Sequence, residues 1–158
     1  GSFARGQGIA IDHLKPHGAL YYDASRDPTL AEFIVRLTRD ARIRAVIGPP
    51  DSMLAKIAHA TGTDFLAEGF ADRTYARDGS LLARGESGAV IHEADAQAAQ
   101  VISIIEDSTV IAADNQVISL QVDTICLHGD TAGAVQSALA LREALHSRGI
   151  EIKAQAAP

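Results

Sequence analysis

The sequence predicts an α/β fold in which helices alternate with the strands of a parallel sheet. Short runs of Ile, Val and Leu are separated by segments with helical spacing and joined by short links, which is the pattern of β-α-β units. The composition agrees, because 47% of the 158 residues are hydrophobic but only four are Phe, three are Tyr and none is Trp. Small and branched aliphatic side chains must therefore form the core, as suits helices packed on a parallel sheet.

Five short apolar runs are predicted to be strands. They are Ile9 to His13, Ile43 to Ile47, Asp64 to Ala67, Thr124 to His128 and Ile150 to Lys153. Ligands in parallel α/β folds gather at the carboxyl ends of the strands. The residues that follow these runs are therefore the first candidates for a functional site.

Four segments between the strands have the spacing and end signals of amphipathic helices. The first runs from Asp27 to Asp40 and opens with an Asp-Pro start signal. Its apolar residues at i, i+3, i+4 and i+7 predict one buried stripe. They are Leu30, Phe33, Ile34 and Leu37. The other predicted helices are Asp51 to Ala60, Ala94 to Glu106 and Thr131 to Arg148. Asp51 is predicted to cap the second helix.

Two further segments predict hairpins outside the main sheet. Tyr75 to Leu82 has an Asp-Gly turn between short extended pieces, and Val110 to Ile118 has a similar pattern. We therefore expect both segments to form hairpins that lie outside the main sheet.

Composition and charge exclude several classes of protein. Fourteen Lys and Arg against twenty Asp and Glu give a net charge of -6, which opposes the attraction to phosphate on which nucleic-acid binding depends. No run approaches the roughly 20 apolar residues that span a bilayer, and no secretory signal opens the chain. Cys126 is the single cysteine and lies between Ile125 and Leu127, which predicts a buried thiol. We expect one cytoplasmic domain over residues 1–158.

The first candidate site residues follow the first predicted strand. Lys15 and His17 are two positions apart, and Gly18 follows them. In an extended segment this spacing places both side chains on one face, where they can hold an anion or pass a proton. A solvated Lys15 and a His17 that satisfies the loop backbone are the alternative.

The second group follows the third predicted strand. Glu68, Asp72 and Arg73 provide two carboxylates and a guanidinium within six residues. Because an adjacent cation lowers the pKa of a carboxyl and makes it a poorer base, Glu68 is the favoured chemical group. Asp72 and Arg73 are predicted to shape the loop and contact substrate; an ion pair that only fixes the loop is the alternative.

The third group ends the fourth predicted strand. Asp130 is predicted to cap the following helix, whose N-terminal N–H groups suit an anion. His128 is expected to point into the same cleft as His17 and Glu68, an arrangement that resembles a divalent-metal shell. A satisfied His128 beside a purely structural cap is the alternative. No HxH pair, phosphate loop or GxSxG elbow is present.

Four motifs, in order along the chain, resemble the LamB/YcsF family. They are Leu14 to Tyr21, Glu68 to Arg73 with Tyr75 and Asp78-Gly79, Ser87 to Ile91, and Asp123 to Thr131. The resemblance implies a seven-stranded β/α barrel of the glycoside hydrolase/deacetylase type. It also implies the A component of an ATP-dependent 5-oxoprolinase, which opens the lactam of 5-oxo-L-proline with separate B and C subunits.

The resemblance implies roles for the candidate residues. Lys15, His17, Glu68 and His128 are expected to be catalytic, and Asp72, Arg73 and Asp130 are expected to bind substrate. Within this scheme, Lys15 and Arg73 stabilise developing negative charge and Glu68 or His128 moves protons. The expected cosubstrate is ATP in the complex, and a divalent metal is an open possibility.

The chain is much shorter than members of this family. The resemblance therefore predicts that residues 1–158 are the C-terminal portion of the barrel and lack its N-terminal strands. An open sheet edge would then invite a partner or a homo-oligomer. The alternative functions are a metal-dependent carbohydrate or amide deacetylase and a non-catalytic scaffold subunit.

Overall fold

The computed structural model describes residues 6–8 and 11–153, and the predicted alternation of helices and strands is confirmed in them. The chain divides into two compact units, residues 1–68 and 69–158, which are taken in turn. In chain order the elements are β1 (His13–Leu14), α1 (Ala19–Arg26), α2 (Pro28–Asp40), β2 (Ala45–Gly48), α3 (Met53–Ala60), β3 (Asp64–Phe70), α4 (Ala94–Asp107), β4 (Thr109–Ile111), β5 (Val117–Ser119), β6 (Thr124–Cys126) and α5 (Ala134–Ser147). A single domain over residues 1–158 stays a prediction.

The first unit contains three parallel strands and three helices. β1 pairs with β2, and β2 pairs with β3 in the register Ala45 to Asp64 through Gly48 to Ala67. All four residues of β2 are buried, as expected of a central strand covered on both faces. The main core consists of seven buried side chains from helices α1 to α3 and strand β2. They are Ala24, Ala31, Ile34, Val35, Val46, Leu54 and Ala58.

Helix α2 confirms the predicted segment but buries a different face. Its buried residues are Ala31, Ile34, Val35 and Thr38, whereas Phe33 and Leu37 are 50% and 44% exposed. The predicted stripe was therefore wrong at two of its four positions. The buried face includes an alanine and a threonine, and Thr38 satisfies its hydroxyl by donating to the carbonyl of Ile34. A pattern search for large apolar residues misses such a face.

The cap of helix α3 corrects another expectation. Ser52, not Asp51, is the N-cap, and its hydroxyl accepts a hydrogen bond from the Ala55 amide at 3.1 Å. Asp51 precedes the cap with a positive φ of 56°, a conformation that Asp tolerates better than most residues. Asp and Ser are both common N-cap residues, so the sequence alone does not show which of two neighbours caps the helix. Only one can occupy the position before the first helical turn.

Leu54 has the largest fully buried side chain among the described residues of the first unit. Replacing Leu54 with Ala should lower the free energy of unfolding by about 2–5 kcal/mol, because it leaves a cavity in a packed core. Urea unfolding of both proteins measures the difference. Leu37→Ala, at an exposed leucine of the same unit, is the control and should change stability by less than about 0.5 kcal/mol. Equal midpoints for wild type and Leu54→Ala would contradict this packing.

An ion pair ties the segment before β1 to the residue before β2. Arg44 donates to Asp12 at 2.6 and 2.9 Å, and these hydrogen bonds hold the pKa of Asp12 below its ordinary value. A lowered carboxyl pKa stabilises the folded state above the unfolded pKa, and that contribution disappears as pH falls through the folded pKa.

Replacing Arg44 with Gln should therefore reduce stability at neutral pH, and the deficit should shrink on acidification. The difference in unfolding free energy from wild type should be constant above about pH 5 and decline below about pH 4. Urea unfolding across this range measures it. If the loss of unfolding free energy in Arg44→Gln instead grew as the pH fell, then the lost Arg44–Asp12 pair would not be its cause.

The second unit contains helices α4 and α5 and the end of β3. Ala98 and Val101 of α4 pack with Leu141 and Leu145 of α5 and with Ala71. β3 runs through the division at residue 68, and in the second unit Ala71, just after its end, donates to the carbonyl of Cys126 in β6. The sheet order is β1-β2-β3-β6.

One glycine permits the close approach at the end of β3. A Cβ on Gly69 would lie 3.2 Å from side-chain carbons of both Val122 and Ile125, which is closer than ordinary packing allows. Glycine therefore lets the backbone of β3 lie directly against these two side chains. This contact helps to fix the strand end that precedes Asp72.

Both predicted hairpins are confirmed as local excursions. β4 and β5 pair antiparallel, with Thr109 opposite Ser119 and Ile111 opposite Val117. Between Tyr75 and Leu82 a tight turn forms around Gly79, whose φ is 81°, and Tyr75 bridges Leu81. The Asp-Gly signal thus marks a real reversal of the chain.

Several boundaries differ from the prediction. Residues 150 to 153 form no strand, so the fifth predicted strand was wrong; helix α1 had no predicted counterpart. β1 is His13–Leu14, and Ile9 and Ala10 of the first predicted strand lie outside the described residues. Cys126 is half-buried rather than buried.

The α/β class is confirmed, but a seven-stranded barrel is not, since the main sheet of the described part has four strands. No helix in the described segments is long and apolar enough to cross a membrane.

Candidate active site

A partly buried ion pair in the first unit joins two of the predicted catalytic residues. Lys15 follows β1 directly, and its Nζ lies 2.5 Å from Oε1 of Glu68 on β3. Glu68 is 5% exposed and Lys15 is 18% exposed. The Lys15 ammonium also lies 5.9 Å from the ring centroid of Tyr21, within the range of a cation–π contact. Residues 53 positions apart in sequence thus form one charged pair.

Glu68 lies inside a strand, not in a loop after it. The prediction ended the third strand at Ala67, whereas β3 continues to Phe70. Oε2 of Glu68 is buried and has no hydrogen-bond partner among the residues that the structure describes. A buried carboxylate oxygen without a donor is unfavourable, so this atom is the obvious place for a ligand N–H or O–H.

In the second unit, Asp72 and His128 form a carboxylate–imidazole dyad. Nδ1 of His128 lies 3.0 and 2.9 Å from the two carboxylate oxygens of Asp72, and the His128 backbone N–H donates to Oδ2 at 3.2 Å. Because a carboxylate only accepts hydrogen bonds, this contact favours a proton on Nδ1, and in the neutral imidazole Nε2 then keeps its lone pair. Asp72 is 3% exposed, while the imidazole is 25% exposed.

An aromatic ring fixes the plane of the imidazole. Phe70 stacks on His128 with ring centroids 5.5 Å apart and an angle of 16° between the planes. The imidazole is therefore held by the hydrogen bond at Nδ1 and by the Phe70 ring stacked on one of its faces. An imidazole with a fixed tautomer and a basic Nε2 is the arrangement of a general base.

Arg73 lies beside the dyad in sequence but makes different contacts. Arg73 is 3% exposed, and its guanidinium donates from Nε to the carbonyl of Ala89 at 3.2 Å and from Nη2 to the carbonyl of Leu82. Two of its donors therefore hold the loop between Leu82 and Ala89. These contacts favour the loop-shaping part of the prediction for Arg73.

The two remaining predicted residues are exposed. His17 lies in the loop after β1, and its side chain is open to solvent while Lys15 is half-buried. Asp130 does not cap helix α5; Gly133, with a φ of 84°, is the N-cap. Asp130 instead pairs with Arg84 at 2.8 Å, and that hydrogen bond holds the pKa of Asp130 below its ordinary value.

No metal cluster accompanies these residues. In the described ranges, no group of three or more His, Cys, Asp and Glu side chains is placed to hold a metal ion. The predicted shell of His17, Glu68 and His128 is therefore not found there. One of the two sites is a lysine–glutamate ion pair and the other is a carboxylate–imidazole pair.

The family follows from a comparison along the whole sequence. The sequence model of the LamB/YcsF family matches residues 1–158. The chain belongs to the LamB/YcsF family. Because the match covers the entire chain, it lends no support to the narrower prediction that only the C-terminal portion of the family is represented.

Two relatives of this LamB/YcsF chain carry the same name. It is 42% identical over 154 residues to a protein of Chloroflexus aurantiacus and 43% identical over 154 residues to one of Methylococcus capsulatus, each named as the A component of 5-oxoprolinase. These matches cover 97% and 96% of this chain but 61% and 59% of the relatives. The chain thus spans about three fifths of their length.

A solved structure shares the fold. The crystal structure of a lactam utilization protein from Thermus thermophilus matches with a TM-score of 0.87 and 31% sequence identity, covering 97% of this chain and 61% of that chain. The agreement confirms an α/β fold with a parallel sheet for this LamB/YcsF chain.

Sequence reasoning missed the partners that hold the dyad of this LamB/YcsF chain. Phe70 was not singled out, and neither was Gln100, whose Nε2 donates to the carbonyls of Phe70, Ala71 and Arg73. A signal was present for Gln100, because Gln97, Val101 and Ile104 on the same helix are buried. A long polar side chain beside such a stripe needs a partner.

Proposed function

We propose that this chain acts in an ATP-dependent 5-oxoprolinase, which hydrolyses the lactam of 5-oxo-L-proline to L-glutamate. We assign it the role of the A component, working with B and C subunits in the cytoplasm. Relatives about 40% identical are named as that component of 5-oxoprolinase. The observation that carries the proposal is the Asp72–His128 dyad, with Nε2 left to accept a proton.

The chemistry of a lactam explains the need for ATP. A five-membered lactam is an unstrained amide, so its hydrolysis must be coupled to a favourable reaction. Transfer of the γ-phosphoryl group of ATP to the amide oxygen releases ADP and activates the ring carbon for attack by water. Cleavage of the C–N bond in the resulting tetrahedral intermediate leaves an acyl phosphate, which a second water hydrolyses to the γ-carboxylate of glutamate and phosphate. The ring nitrogen must gain a proton as the C–N bond breaks, and the attacking water must lose one.

His128 is suited to accept the proton of the attacking water. Its Nδ1–H is held by Asp72, so Nε2 is the basic atom, and the positive charge that develops on the ring lies beside a carboxylate. Proton transfer by a positioned side chain contributes about 10²- to 10⁴-fold to a rate. A buried Asp72 acts by orienting the ring and by stabilising its charged form.

Lys15 and Glu68, in the first unit, form a pair suited to a polar group of a ligand. Glu68 holds Lys15 with one oxygen, and its second oxygen is available to a substrate N–H. Lys15 supplies a positive charge for negative charge that develops on the reacting group. Asp130 is proposed to contact substrate, and exposed His17 is proposed to act with Lys15 in the chemistry. Arg73 holds the loop that contains Arg84, the partner of Asp130.

The proposal includes the larger assembly. We infer that the observed sheet is part of a seven-stranded β/α barrel, and that ATP is a substrate of the complex. We also propose that lactam hydrolysis uses a divalent metal, and samples with a metal chelator test this. The parallel strands β1 to β3 and the family match support the barrel.

The test combines this chain with B and C subunits and follows ATP hydrolysis and glutamate release on addition of 5-oxoproline. The corresponding full-length component of a relative serves as the positive control, and parallel samples contain a metal chelator. We expect glutamate and ADP in equal amounts, both dependent on the lactam. An active relative beside an inactive chain would overturn the proposal. Acetate release from acetylated sugars or amides without ATP would replace it with a deacetylase.

A further inference from the structure

One side-chain amide donates hydrogen bonds to three backbone carbonyls of the turn that contains Asp72. Nε2 of Gln100, on helix α4, lies 2.8 Å from the carbonyl oxygen of Phe70, 3.2 Å from that of Ala71 and 3.0 Å from that of Arg73. Asp72 itself uses its carbonyl differently, to accept a hydrogen bond from the Ile91 amide.

Three carbonyl dipoles that converge on one point repel one another unless a donor lies between them. The amide of Gln100 has two N–H groups, so it satisfies three acceptors only by sharing a proton. Buried carbonyls without a donor are strongly unfavourable, and residues 70 to 73 are all buried. The shape of the turn therefore depends on this amide.

Other contacts fix the strand on the near side of the turn. The Phe70 amide donates to the hydroxyl of Tyr75 at 2.8 Å, and the Ala71 amide donates to the carbonyl of Cys126. These bonds fix where the turn begins. Gln100 reaches carbonyls on both sides of Asp72, and so it controls the direction in which the Asp72 carboxylate points.

We propose that Gln100 is a positioning residue for the Asp72–His128 dyad. By holding the turn, it keeps the Asp72 carboxylate against Nδ1 of His128, and this selects the tautomer with its proton on Nδ1. The consequence for lactam turnover rests on the proposed function. The effect on the imidazole itself does not depend on any substrate.

Nitrogen-15 NMR of histidine-labelled protein tests the proposal, since it distinguishes the two imidazole tautomers. Wild type should show the Nδ1–H form of His128. Gln100→Leu removes both donors at similar volume, and Gln100→Glu replaces them with oxygens that repel the carbonyls. Both should shift His128 towards the Nε2–H form. A wild type in the Nε2–H form, or a folded Gln100→Leu variant with the wild-type tautomer, would overturn the proposal.

Two controls separate positioning from general destabilisation. Ser103→Ala removes a hydroxyl one turn later on the same helix, where it contacts the Thr109 hydroxyl at 3.1 Å. Leu145→Ala weakens the core of the same unit. Both should keep the Nδ1–H tautomer, and a shift in Leu145→Ala equal to that in Gln100→Leu would contradict a specific role.

Turnover in the assembled enzyme provides the second measurement. Gln100→Leu should lower the lactam-dependent kcat at least about tenfold, with a smaller change in KM, because the base and not the binding contacts is misplaced. A tautomer shift with unchanged turnover would leave Gln100 as a positioning residue and would overturn the proposed role of the dyad. An unchanged tautomer would overturn the positioning role itself.

Discussion

Replacing Glu68 with Gln should lower lactam-dependent glutamate release by the assembled enzyme about 10²- to 10⁴-fold. The amide keeps the size of the side chain but removes its charge and one of its two acceptor oxygens. Lys15, 2.5 Å from Oε1, would lose the carboxylate that holds it, and the buried Oε2 position would present a donor where a substrate N–H is expected. Rates of glutamate release at saturating ATP and 5-oxoproline measure the effect.

Glu106→Gln is the matched control for this change. Glu106 also accepts from a cation, Arg148 at 2.9 Å, but both side chains are exposed. Such a pair contributes little, so this variant should keep wild-type turnover. Circular dichroism should show both variants folded. A folded Glu68→Gln enzyme with wild-type turnover would remove Glu68 from the chemistry.

The fold was predictable wherever a short-range pattern carries the information. Helices α2, α4 and α5 and the β4–β5 hairpin were predicted because apolar spacing and turn residues are local signals. Helix α1, Ala19–Arg26, has only two buried residues, Tyr21 and Ala24. Its spacing is therefore weak, and packing against neighbouring helices stabilises it more than its own sequence does.

The ends of elements were less predictable, for a physical reason. Asp51 and Ser52 are adjacent cap formers, and Asp130 precedes helix α5 by several residues. Which residue caps a helix depends on where the chain first turns, and tertiary packing decides that. In the same way β3 extends through Phe70 because its neighbours provide partners, which moves Glu68 into the strand.

The candidate site was predictable in its residue types but not in its pairing. Strand-end reasoning selected Lys15, Glu68, Asp72 and His128. It placed Asp72 with Arg73, its neighbour in sequence, whereas Asp72 binds His128, 56 positions away. Pairing across that distance is set by the packing of the sheet, which no local motif encodes. The three backbone partners of Gln100 could not be predicted for the same reason.

The Asp72–His128 pair leads to the second large effect. Asp72→Asn should lower lactam turnover roughly 10³- to 10⁴-fold, because a neutral amide can turn its NH₂ group towards Nδ1 and make that nitrogen an acceptor. The proton then moves to Nε2, the atom required as the base. The His128 backbone N–H favours this orientation, since it already occupies the oxygen at the Oδ2 position. Glutamate release, with tautomers read by nitrogen-15 NMR, measures both consequences.

A double-mutant cycle decides whether the two residues act as one unit. If Asp72 works only through the imidazole, then His128→Ala should be as damaging as Asp72→Asn, and the double variant should be no slower than His128→Ala alone. Independent roles would multiply the two losses. Asp114→Asn, at an exposed turn of the β4–β5 hairpin where the side chain accepts from Gln116, is the matched Asp-to-Asn control and should leave turnover unchanged. Multiplicative losses would separate Asp72 from His128, and the imidazole would then need another group to orient it during the reaction.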